Sequence, residues 1–203
     1  MRSLKIAGFR AAGLGLAALA LGAAGPPADP DWPCAQRLVP KLTAAALWGG
    51  HDAAGDWRTD PQVAAVVAAV APRGVSAQDG AGQVERYMAT RPGADRPARS
   101  ALLFAGLVDE TNAQRAEVID RLRATARRQR ALTELVSKIT AELRALPADA
   151  PAAQREEVTS RRAFLIREYE DIERTIRYAC EVPVRMEAKL GALAQALQRG
   201  LAG

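Results

Sequence analysis

Two cysteines, one histidine and a run of arginines carry most of the chemistry that this chain offers. Cys34 and Cys180 are the only thiols. No Cys-x-x-Cys spacing marks them as a redox pair, and an even pair in an oxidising compartment reads as a structural disulfide. Closing so long a loop stabilises by about 5 kcal/mol in the chain-entropy model, an upper figure. A histidine-based metal centre or a Ser-His-Asp relay would have to rest on His51 alone. It has no second histidine, spare cysteine or compact carboxylate cluster beside it. Gly80-Ala81-Gly82 lies inside a helical pattern, with no strand before it and no Lys-Ser/Thr after it, so it is not a phosphate loop. The residues therefore predict no catalytic, cofactor-binding or metal-binding site, and no cofactor.

Two other groups point to binding. Arg121, Arg123, Arg127, Arg128 and Arg130 form a cationic stripe. Trp32, Trp48 and Trp57 all fall in the first third of a chain that is only 4% aromatic. Tryptophans beside Gly and Pro serve as partner anchors, but in a small domain poor in large residues they first serve as core.

The element that must position these groups is the stretch from Pro97 to Leu146, which has no internal proline and one glycine, Gly106. Along it a seam runs in steps of four and three: Phe104, Val108, Thr111, Arg115, Val118, Leu122, Thr125, Gln129, Leu132, Val136, Ile139, Leu143, Leu146. As one helix it would reach roughly 75 Å. A rod cannot bury its own stripe, so another segment must lie along it. Pro147-Ala-Asp-Ala-Pro151 is a stop followed by a start, and Ala152 to Cys180 resumes the helical period. A short turn makes the two arms antiparallel. With the turn centred near Asp149, residue n faces one near 298 minus n. Arg127 then meets Asp171, Arg128 meets Glu170, Arg130 meets Glu168, Asp120 approaches Arg177, and Gln129 falls opposite Tyr169. Pro183 should kink or break the second arm, beyond which Val184 to Leu201 continues as an amphipathic helix closing the base.

In the N-terminal third, Thr43 can cap a short helix ended by Gly49-Gly50. Asp60-Pro61 opens an Ala/Val helix stopped at Pro72-Arg73-Gly74. Ser76 with Asp79 has capping-box spacing and opens another helix, closed by Arg91-Pro92-Gly93. Strand signals are nearly absent. The fold class expected is all-α: a long antiparallel, coiled-coil-like hairpin with a small helical base formed by the N-terminal helices and the C-terminal helix.

The first 24 residues have a basic head and an Ala/Leu/Gly run ending in small residues, the pattern of a cleaved secretory signal, cut near Ala24. Residues 25–95 form the segment of short helices and 96–203 the hairpin. The whole chain carries 28 Lys+Arg against 23 Asp+Glu. Arg2, Lys5 and Arg10 lie in the leader, which has no acid, so its removal leaves 25 against 23, net +2. That balance argues against nucleic acid as a partner. The expectation is an exported, non-enzymatic helical interaction or scaffold protein of the bacterial periplasm. Its partner is an unidentified protein or a second copy, the latter through Leu102, Leu103 and Leu107. The partner-facing positions are Trp32, Trp48 and Trp57 in the base and Leu146 and Val158 at the tip, with peripheral contact between the arginine stripe and envelope anions. The alternative is a periplasmic ligand-binding or chaperone-like carrier of apolar or anionic cargo.

Overall fold

A computed structural model describes residues 29–48 and 55–202. The leader, Gly49-Gly50, His51 and Asp52 lie outside the described residues. Among those described there is no strand, and the chain is an all-helical hairpin on a helical base.

Local signals set the helix ends. After a single turn, α1 (Ala44–Leu47), and a 3₁₀ turn at Trp57–Thr59 comes α2 (Pro61–Val70). Asp60 Oδ1 accepts from the backbone amides of Gln62 (3.0 Å) and Val63 (3.1 Å), satisfying two donors that the first helical turn leaves orphaned. Its second oxygen pairs with Arg99, so the cap of one helix is also a tie to the next long one. In α3 (Ala77–Ala89) Ser76 Oγ accepts from the Asp79 amide at 3.0 Å and donates to Asp79 Oδ2 at 2.7 Å. Then α4 (Arg96–Ala145) runs for 50 residues without interruption, roughly 75 Å at 1.5 Å per residue. α5 (Ala152–Ala179) returns along it, and α6 (Glu181–Ala202) completes the base.

The second arm breaks at Cys180, three residues before Pro183. A proline in the first turn of a helix costs nothing there, because its missing N–H has no intrahelical acceptor to lose. Pro183 therefore sits inside the opening turn of α6 and is itself buried. The capping amide of Cys180 still donates to Ile176 O at 2.8 Å, closing α5.

The main core lies where α2, α3 and α6 gather on the first third of α4. Val63, Val67, Val84, Met88, Leu103, Phe104, Leu107, Leu190, Leu193 and Leu197 are all at 1% exposure or less. Trp48 stacks at a tilt on Phe104, ring centroids 4.9 Å apart. Leu103 and Leu107 are thus interior and Leu102 is half-buried against the same cluster, so the self-association surface expected of these three is instead core. Further out, Val118 and Leu122 join Met186, and Leu132 joins Ile172 and Ile176. Every position of the seam is at least partly covered, as its period requires.

The hairpin register is about one helical turn from the expected one. Arg161 meets Glu142, Arg162 donates to Thr140 at 3.0 Å, and Tyr169 shares a dimple with Thr133 and Val136. Arg155 donates to Pro147 O at 2.8 Å and closes the turn. Of the expected cross-arm pairs only the sign pattern survives at Arg128, whose partner is Glu168. Asp120 pairs with Arg123, Asp171 with Arg174 and Arg177 with Glu173, all within one helix.

Close helix approach is bought with glycine at Gly106. A Cβ there would meet Val67 Cγ2 at 2.6 Å and Trp57 Cδ2 at 2.9 Å. Gly82 faces only the flexible end of Arg86, at 3.4 Å. Replacing a helical Gly by Ala gains about 0.8–1 kcal/mol in propensity, whereas overpacking a core costs about 1–3 kcal/mol. In urea unfolding, Gly82→Ala should therefore raise the midpoint and Gly106→Ala should lower it.

Candidate functional site

The groups with chemistry converge on one place, the junction of α5 and α6 against the middle of α4. The first component is a strap, residues 29–42, laid along α4. Cys34 bonds Cys180 with a Cα separation of 5.5 Å, fastening the strap at the break in the second arm and leaving no free cysteine among the described residues. Gln36 donates through its side-chain amide to Cys180 O, and Trp32 Nε1 donates to Gln36 O at 2.8 Å. Downstream, the Asn112 carboxamide brackets one residue: it accepts from the Leu42 amide at 2.8 Å and donates to Leu42 O at 2.9 Å.

Upstream of the disulfide the strap is held by charge. Asp29 pairs with Arg123 at 2.7 Å, and Asp31 pairs with Arg127 at 2.8 Å and also with Arg130. Arg127 and Arg130 thus meet the strap, where Asp171 and Glu168 were the expected partners. The reason is reach: the strap lies on α4 itself and offers two carboxylates to three guanidinium groups. The amide of Asp31 and the Arg123 guanidinium hold the Asp29 carboxyl below its ordinary range. Arg127 and Arg130 do the same for Asp31.

The second component is Arg115, a cation buried to 3% exposure. It donates to Pro183 O and to Val39 O, each at 2.8 Å. One guanidinium therefore joins α4, the opening turn of α6 and the strap. Burial pushes its pKa down, opposed by the charge of Glu187. Two backbone carbonyls supply the acceptors for this charge, since an unpaired buried cation is strongly unfavourable.

The third component is a groove bounded by the α2–α3 turn, α4 and α6, with a volume of about 560 Å³. Val75, Met186 and Leu193 are among its apolar side chains, and Arg73, Arg185 and Lys189 stand at its edge. A smaller depression of about 210 Å³ abuts it, sharing Arg73 and Val182 and reaching Arg121 and Ile176. Val118, Leu122, Val182 and Met186 line these depressions and also pack with Trp32 and the disulfide, so the strap supports their walls. Lys189 donates to Pro72 O at 2.8 Å beyond the end of α2, and burial pulls its pKa down.

The expected partner-facing residues are distributed differently. Trp48 and Trp57 are buried in the base, Trp57 donating to Asp109 at 3.1 Å, and Val158 is buried near the tip. Trp32 and Leu146 are half-buried. The three tryptophans thus divide between two clusters and do not form one anchor surface. Among the described residues no group of three His, Cys, Asp or Glu could hold a metal ion, and no helix is long and apolar enough to cross a membrane. Sequence reasoning passed over Asp29 and Asp31, Arg115's double tie, and Arg73. The first had a signal: two acids lie within five residues of a cysteine already assigned to the far arm. No known protein family, curated protein or solved structure matches this chain.

Two outcomes follow for the strap. In the oxidised protein, alkylation before reduction should add no mass, and the double change Cys34→Ala/Cys180→Ala should cost about 2–5 kcal/mol in denaturant. Because the carboxyls of Asp29 and Asp31 titrate below their ordinary value of 3.8, their contribution is complete above it and disappears as pH falls through the folded-state values. Hydrogen-exchange protection of residues 29–33 should accordingly fall below pH 3.8 before that of α4, and should be low at every pH in Asp29→Asn/Asp31→Asn.

Proposed function

We propose that this is an exported, non-enzymatic interaction protein, built to hold the outer half of a helical hairpin away from its base and present it to a protein partner. The N-terminal leader pattern supports export, and the disulfide is compatible with an oxidising compartment such as the bacterial periplasm. With both thiols bonded, cysteine nucleophile chemistry is removed from the inventory, and the histidine inventory is one residue.

The observation that carries the reading is Phe164 on the outer arm, 59% exposed, with Leu135 on the other arm at 44%. Both stand level with the dimple formed by Val136 and Ile166. The strap's last tie along α4 is at Arg130, so among the described residues this part of the hairpin is a bare two-helix ribbon. A large exposed aromatic on a rigid ribbon is the kind of side chain that anchors an interface. The surrounding exposed ion pairs, such as Arg161 with Glu142, add little stability and set no conflict with a partner.

A photo-crosslinking amino acid placed at position 164 or 135, in cells that make this protein naturally, should give one discrete adduct with another protein. The same residue at Gln78, exposed on α3, should not. Absence of an adduct at both arm positions, or the same products from position 78, would defeat the reading.

A further inference from the structure

We propose that the groove between the α2–α3 turn, α4 and α6 is a binding site for a single-chain amphiphile with an anionic head group. Its volume of about 560 Å³ lies inside the range of about 300–1,000 Å³ typical of small-molecule sites. The floor is aliphatic, from Val75, Met186 and Leu193, and continues under Val182 into the 210 Å³ depression. Two adjoining depressions that share Arg73 and Val182, one smaller than the other, suit an alkyl chain. No aromatic side chain lines either of them, so neither is equipped to stack a planar ring such as a nucleobase.

The charge around this floor has one sign. Arg73, Arg121, Arg185 and Lys189 line the two depressions, and no Asp or Glu does. Three of the four are engaged: Arg185 with Glu181 at 2.8 Å, Arg121 with Glu117 at 3.9 Å, and Lys189 with Pro72 O. Arg73 has no ion-pair or hydrogen-bond partner among the described residues, and it stands where the two depressions meet. A guanidinium there can take a carboxylate or a phosphate in a charge-assisted, two-pronged contact while the chain lies on the apolar floor. A fatty acid and a lysophospholipid share this chemistry, and the head group distinguishes them.

The site lies in the base and shares no residue with Leu135 or Phe164, so it stands or falls independently of the arm. The purified, oxidised chain should be titrated with oleate, hexadecyl phosphate and hexadecanol below their micellar concentrations, with stoichiometry read by native mass spectrometry. One molecule of an anionic amphiphile should bind per chain, at least about tenfold more tightly than hexadecanol, which is about 1.4 kcal/mol. Preference between oleate and hexadecyl phosphate identifies the head group, and either supports the site. Arg73→Glu, an exposed turn substitution, should weaken anionic binding at least tenfold. Ala188→Trp, at an exposed edge position, should block the groove for all three probes while leaving the helical circular dichroism unchanged. Failure of both anions to bind, equal binding of hexadecanol, or indifference to both substitutions would overturn the proposal.

Discussion

A helix of fifty residues with an apolar stripe must find cover along its whole length, and in this protein no single element is long enough to provide it. The cover is therefore assembled in sections. Three helices enclose the stripe from Phe104 to Val108, α6 and the strap take over around Val118 and Leu122, and α5 alone covers it from Leu132 outward. Each change of partner leaves helix ends, unpaired carbonyls and gaps between convex surfaces. The most complex change falls at the α5–α6 junction. There the disulfide, the Arg115 ties and the apolar groove are found together, and all three are answers to one packing problem.

The charges follow the same division. Around the base they tie elements to each other, as Asp60 does with Arg99 and Glu85 with Arg199. Along α4 they tie the strap down. At the junction end of α5 they run along a single helix, and on the outer ribbon Arg161 crosses to Glu142; all of these are exposed, screened and individually weak. Arg115 is the exception, a cation carried into the interior and answered by carbonyls with no carboxylate in the contact. Its position in the seam is polar because it faces two backbone carbonyls, one in the strap and one in the opening turn of α6.

Much of this architecture was legible because it is written in local signals. Asp60-Pro61, Ser76-Asp79 and Pro147 to Pro151 mark helix ends by mechanisms that act within four residues, and their helices begin or end within a residue or two of those marks. The disulfide was legible from a count of two. The strap was not, because Arg127 and Arg130 had chemically equivalent partners on α5 and nothing local decides between them and acids nearly a hundred residues away. Pro183 marked the break in the second arm but not its exact place, because its chemistry permits a helix to start as readily as it forbids one to continue, and α6 begins two residues before it. The groove depends on the relative placement of three elements, and Arg73 reads in sequence only as a turn residue. The tryptophans were read both as core and as partner-facing; Trp48 and Trp57 are core, and no periodicity could show that Trp32 belongs to a different cluster.

The pairing of Cys34 with Cys180 also imposes an order in time. The two are separated by 146 residues, and at a synthesis rate of about 5–20 residues per second the first thiol precedes its partner by roughly 7–30 s. During that interval α4 can form, since a helix needs only its own neighbours, but the strap has neither the sulfur nor the Cys180 carbonyl to fasten onto. The segment that leaves the ribosome early is thus among the last to be locked, and the junction it supports is completed only when the second arm has passed it. A molecule assembled this way carries its own mark of completion: the bond can close only after the chain has been made as far as Cys180, at the end of the second arm.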